Sequence, residues 1–196
     1  MKTIFSASFM AVSILFTACG DNSSKTKDTV TSKKDADTTS VAVNSAPSGS
    51  ITTKAIIADY IKLKNALAND NGKEAADASK DIKSSLEQMD ITPFTPEQKK
   101  TYDDVKDDLS EHAEHIASNS NNIAHQREHF DMMSQDMIDL VKSAGSAQTL
   151  YKDYCPMFNN NKGASWLSET KEIKNPYLGK KMPTCGEVKE EIKAKE

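Results

Sequence analysis

The sequence predicts an all-α fold, an antiparallel four-helix bundle with a C-terminal irregular segment packed on it. Three observations lead there. Between Ile51 and Gly145, apolar residues recur at helical spacing in successive runs. Short stretches rich in Asn, Gly, Ser or Pro separate the runs. From Ser146 the periodicity stops, and aromatics, prolines and two cysteines take over.

Residues 1–18 come first. Lys2 precedes an apolar run, "IFSASFMAVSILF", which ends in the small residues "TAC". That is the pattern of a secretory signal, too short for a stable membrane span. "LFTAC" also resembles a bacterial lipoprotein signal with Cys19 as the lipid acceptor, although Phe16 departs from the usual small aliphatic residue three before the cysteine. Acyl chains on Cys19 would anchor the chain at about 0.8 kcal/mol per buried CH₂. Residues 19–50 are rich in Ser, Thr, Asp and Lys and hold no aromatic, Leu, Ile or Met, so they read as a disordered tether. As a flexible coil it would reach roughly 30 Å from the membrane. The expected location is therefore the cell envelope: a lipoprotein facing the periplasm at the outer or inner membrane, with surface exposure an open alternative.

The formal net charge is −4, and it becomes −5 once Lys2 leaves with the signal. A mildly acidic chain argues against a nucleic-acid partner. Export implies an oxidising compartment in which disulfides persist. With Cys19 lipidated, two of the three cysteines keep free thiols, Cys155 and Cys185.

Residues 51–196 read as one helical domain, with residues 146–196 as its irregular end. The first helix shows an apolar face of Ile56, Ile57, Tyr60, Leu63 and Leu67. "ANDNGK" breaks it. Ala75, Ala78, Ser79, Ile82, Leu86 and Met89 mark the second. "ITPFTPEQ" is a stop and a restart: Thr95 suits an N-cap, Pro96 the first helical position, and Gln98 completes a capping box. The third helix carries Tyr102, Val105, Leu109 and Ile116, and the fourth Ile123, Phe130, Met133, Met137, Leu140 and Val141, ending near Gly145. Between them "ASNSNN" predicts a turn, because consecutive Asn and Ser are poor helix interior. A single rod fusing the two helices satisfies the same spacing from Leu109 through Ile116 to Ile123.

Four sulfur residues carry the clearest chemistry. "CPM" and "MPTC" each bring a thiol and a thioether close in sequence: Cys155 with Met157, Met182 with Cys185. Soft sulfur donors select soft ions, Cu(I) above all, and an open position would let the ion be passed on. His129 or Met133 on the fourth helix would be further ligands. The competing reading is a Cys155–Cys185 disulfide, with no metal and the methionines as filler. Closing that loop of about thirty residues would stabilise the fold by roughly 3–4 kcal/mol. Sequence alone leaves both readings open.

The four histidines form a second constellation. His112 and His115 stand at i, i+3, and His125 and His129 at i, i+4. Around a turn near residue 120, His115 lies level with His125 and His112 with His129. Such a set suits Cu(II), Zn(II) or Ni(II). The plainer reading is four solvated side chains on polar faces, and a continuous rod would keep them apart. Catalysis finds no support: no Ser/His/Asp set, phosphate loop, H-E-x-x-H or C-x-x-C occurs. The chain reads as a non-enzyme.

"QREHFDMMSQDM" and "LYKDYCPMFNNNKGASWLSETKEIKNPYLGKKMPTCGEV", with the helices before them, resemble a bacterial family of domains of unknown function. Its members occur as lipoproteins and fused to periplasmic adaptor subunits of heavy-metal (copper/silver) efflux pumps. The resemblance spans about Ile51 to Ile192 and rests on Tyr154–Met157, Trp166–Ser168, Ile173, Asn175–Tyr177, Gly179, Met182 and Cys185–Gly186. It implies capture of Cu(I) or Ag(I) through Cys and Met for efflux or tolerance, with periplasmic pump subunits as partners. The alternative is a disulfide-stapled helical interaction module. In either case Trp166, Asn175, Pro176 and Tyr177 read as anchors: an aromatic pair that buries the segment and a turn that closes it.

Overall fold

The computed structural model describes residues 52–195, so the signal, Cys19 and the tether lie outside the described residues. Four long helices open the fold: α1 (Lys54–Ala68), α2 (Gly72–Glu87), α3 (Pro96–Ser118) and α4 (Ile123–Ala144). Each consecutive pair packs together.

The predicted apolar faces form the core. Ile56, Tyr60, Leu63 and Leu67 of α1, Ile82 of α2, Leu109 and Ile116 of α3, and Phe130, Met133 and Met137 of α4 are fully buried. Local signals set the ends. The Thr95 side chain accepts from the Gln98 backbone N–H while the Gln98 side chain accepts from the Thr95 N–H, so α3 starts on the predicted capping box. Gly145 closes α4 at φ 94°, a conformation only glycine adopts freely. The second helix begins earlier than its apolar stripe suggests. Asn71 caps it by accepting from the Glu74 N–H, and Gly72 is its first residue.

The continuous rod does not form. Asn119 ends α3 and Asn122 caps α4 by accepting from the His125 N–H. Asn122 N–H also donates to the Asn119 carbonyl at 2.9 Å, which folds the turn on itself. Gln126 locks it further, donating to the Ile116 carbonyl at 3.0 Å and to the Gly72 carbonyl at 2.8 Å. The turn between α1 and α2 therefore sits against the turn between α3 and α4. A Cβ on Gly72 would stand 2.5 Å from the Ser120 carbonyl oxygen, so only glycine fits there.

The C-terminal segment corrects the all-α expectation. It is a three-stranded antiparallel sheet built from β1 (Leu150–Cys155), β2 (Ala164–Ser168) and β3 (Glu187–Ile192), in the order β2-β1-β3. A 3₁₀ turn at Gly179–Lys181 lies in the connection to β3. Two features hide the strands in the sequence. A bulge between Lys152 and Asp153 breaks the alternation of β1, so its burial does not follow period two. And β3, "EVKEEI", is charged and almost wholly exposed, as suits a protected edge strand.

Aromatic contacts join sheet to helices. Tyr60 stacks on Phe130 at 5.3 Å, Phe130 meets Tyr177 at 5.5 Å, and Tyr177 meets Trp166 edge-on at 5.8 Å. The Tyr60 hydroxyl pairs with Ser134 Oγ at 2.7 Å and accepts from the Leu167 N–H of β2. Arg127 of α4 ties the connection to α1, donating to the carbonyls of Pro176 and Leu67 and to Asp70 Oδ1 at 2.6–2.8 Å.

Candidate metal-binding sites

Strand register builds the thiol pair. Cys155 ends β1, and Tyr154 pairs with Glu187 at the start of β3, which brings Cys185 alongside. Cys155 Sγ and Cys185 Sγ stand 3.1 Å apart. Cys155 is buried and Cys185 half-buried; neither is bonded to another cysteine among the described residues. The hydrogen bond with Cys155, and then burial, push the Cys185 thiol up to about 11.

The predicted anchors hold this corner. Asn175 Nδ2 donates to the Cys185 carbonyl at 2.6 Å, while its Oδ1 accepts from the Tyr177 and Leu178 N–H groups. Pro176 is buried and gives its carbonyl to Arg127. Tyr177 donates from its hydroxyl to the Ser165 carbonyl. Trp166 is fully buried, and Gly186 lies so close that a Cβ there would be 2.9 Å from the indole.

The backbones of the two predicted thioether residues flank Cys185. Met157 N–H lies against the Cys185 thiol, and the Met182 carbonyl accepts from the Cys185 N–H at 3.2 Å. Their side chains stand at the surface, 50% and 37% exposed. All four sulfur residues thus share one corner of the sheet, and the thiols are the pair in contact. Met133 is elsewhere, fully buried in the helical core. His129 lies with the other imidazoles.

Those imidazoles converge across the α3–α4 turn. His112 Nδ1 and His129 Nδ1 are 3.2 Å apart, the level pairing that the turn predicts. His115 stacks on His129 with ring centroids 4.2 Å apart and planes 5° from parallel. His125 meets His129 edge-on at 4.5 Å. One donor atom from each of His115, His125 and His129 falls within 4.8 Å of the others. Carboxylates flank the group: Glu111 Oε1 is 3.8 Å from His115 Nε2, and Glu128 Oε2 is 3.4 Å from His125 Nδ1. Burial holds the His112 pKa below its ordinary value. Burial and then the neighbouring rings do the same for His129, so both favour the neutral, ligating form.

A buried charge cluster has no counterpart in the sequence reading. Lys64, 1% exposed, donates to Glu169 Oε2 at 2.8 Å. Nearby Asp153 is fully buried with no hydrogen-bond partner on either carboxylate oxygen among the described residues, and burial raises its pKa to about 7. The signal that could have exposed it is an acid within the β-forming run "LYKDYC".

Comparison with curated proteins and with solved structures gives no match. Residues 56–149 match the model of a family described as a protein of unknown function, DUF3347. The match takes in the packed cores of all four helices and the four histidines, and it ends one residue before β1. Residues 56–149 are therefore similar to a family whose function is unknown.

Proposed function

We propose that the protein is a non-enzymatic metal-binding accessory of the cell envelope. It captures Cu(I) or Ag(I) at Cys155 and Cys185, with the thioethers of Met157 and Met182 completing the set. Cys19, acylated, tethers it to the membrane, and periplasmic subunits of an efflux pump receive the ion. The helices serve as the scaffold, read here as one antiparallel four-helix bundle because consecutive helices pack in pairs and Tyr60 on α1 stacks on Phe130 of α4. The observation that carries the reading is the meeting of two thiols at a surface corner flanked by two methionines, a soft donor set that suits a monovalent soft ion.

One distance favours the second reading, a disulfide-stapled interaction module. Thiolates sharing a tetrahedral ion with bonds near 2.3 Å stand roughly 3.7 Å apart. The 3.1 Å separation is closer, and a further approach of about 1 Å would bring the sulfurs to disulfide length.

Two experiments separate the readings. The reduced chain is titrated with Cu(I) against a competing chelator, alone and as Cys155→Ser/Cys185→Ser and Met157→Leu/Met182→Leu. Strong binding that collapses without the thiols and weakens without the thioethers supports capture. Weak binding that none of the four substitutions alters removes it. Thiol counting by intact mass on protein taken from cells then shows whether the native pair is open or bonded.

A further inference from the structure

We propose that His115, His125 and His129, backed by His112, form a second metal site that takes a divalent first-row cation, Cu(II) foremost. It differs from the thiol corner in its residues and in its chemistry. Imidazole suits Cu(II), Zn(II) and Ni(II), and Cu(II) binds most tightly in that series.

The geometry shows a site rather than a packing accident. A structural histidine usually gives its ring N–H to a backbone carbonyl and fills the core. These four do neither: their ring contacts run to one another and to Glu111 and Glu128. None is fully buried, so an ion can arrive from solvent. The three donor atoms within 4.8 Å need to close to about 2.9 Å between neighbouring positions of a tetragonal Cu(II), or about 3.4 Å around a tetrahedral Zn(II), a shift within reach of side-chain rotation.

The surroundings match what imidazole ligands require. A metal-bound imidazole donates its other N–H to a carboxylate, which fixes ring orientation and raises basicity. Glu111 stands ready for His115 and Glu128 for His125. His129 has His112 instead: their facing Nδ1 atoms demand one donor and one acceptor, which fixes complementary tautomers. The backbone is preset as well. The Asn122 cap, the Gln126 bonds to both turns and the close seat of Gly72 on Ser120 hold the ends of α3 and α4 in place. A site on fixed helices holds its ligands more closely than a loop does.

The test uses the full chain carrying Cys155→Ser/Cys185→Ser, so that the thiol corner is silent and the two sites are judged separately. Cu(II) is added against a competing chelator, and the bound ion is read by electron paramagnetic resonance. The expected result is one equivalent bound with hyperfine structure from several imidazole nitrogens. Adding His115→Gln/His129→Gln should weaken binding about 100-fold or more and erase that pattern, with helix content unchanged by circular dichroism. Glu111→Gln/Glu128→Gln should weaken it roughly tenfold while keeping the nitrogen signature. Binding that survives loss of His115 and His129, or a spectrum without imidazole coupling, overturns the proposal. Neither result touches Cu(I) capture by the thiols.

Discussion

The thiol corner and the imidazole cluster are built in opposite ways. The thiols meet because strands pair: Cys155 and Cys185 belong to a sheet whose register, aromatic anchor and Asn175 turn all hold them. The imidazoles meet because two helices turn back on each other, and each ring projects from a helix that would stand without it. The difference teaches that the two sites fail differently. Disturbing the thiol corner disturbs the fold around it, whereas disturbing the imidazoles leaves the scaffold.

Three measurements sharpen or break that contrast. Trp166→Ala should have the largest effect. It empties a fully buried indole that touches Tyr177 and underlies Gly186, a loss of about 3–5 kcal/mol in chemical denaturation. Cys185 should then react faster with a thiol reagent, while Cu(II) binding by the histidines persists. Loss of Cu(II) binding together with the thiol corner would show one cooperative site in place of two.

Gly72→Ala tests the imidazole cluster. Its methyl would collide with the Ser120 carbonyl, at a cost of about 1–3 kcal/mol, and push the α3–α4 turn away from α2. Weakened Cu(II) binding with unchanged thiol reactivity is the expected outcome. If the two move together, the two sites are coupled.

The third measurement is pH-dependent. Asp153 is buried without a hydrogen-bond partner among the described residues, and burial raises its pKa from 3.8 to about 7. The folded state therefore keeps a proton that the unfolded chain has released. This contribution is present in full below about pH 4 and is lost as pH rises through about 7, at no more than about 1.4 kcal/mol per pH unit. Asp136, raised by burial and then by Asp108 and Asp139 to about 6, acts in the same direction. Asp153→Asn should flatten the slope without abolishing it. An unchanged slope would show that Asp153 titrates normally.

The helical half was legible because its signals are local. The apolar stripes repeat at helical spacing, Thr95 and Gln98 announce their capping box, and the Asn/Ser run at residues 118–122 reads as a turn. That turn also made the histidine levels readable, since i, i+3 and i, i+4 pairs on facing helices meet only if the chain reverses between them. The sheet half was not legible, because what organises it is long-range. The bulge at Lys152/Asp153 scrambles the alternation of β1, and β3 is recognisable only by its pairing with a strand far away in sequence. "YCPM" and "MPTC" could be read as two ends of one place, but the separation of their sulfurs could not. Nor could the buried Asp153 be distinguished from the many solvated acids of this chain.

The strand order has a consequence in time. β1 is central, β2 pairs with it soon after it is made, and β3 returns to its other edge only after the whole connection has passed. A pairing this distant closes late, because loop-closure entropy is spent before any contact repays it. Cys155 is therefore made well before its partner, and the two thiols come together only when β3 pairs with β1.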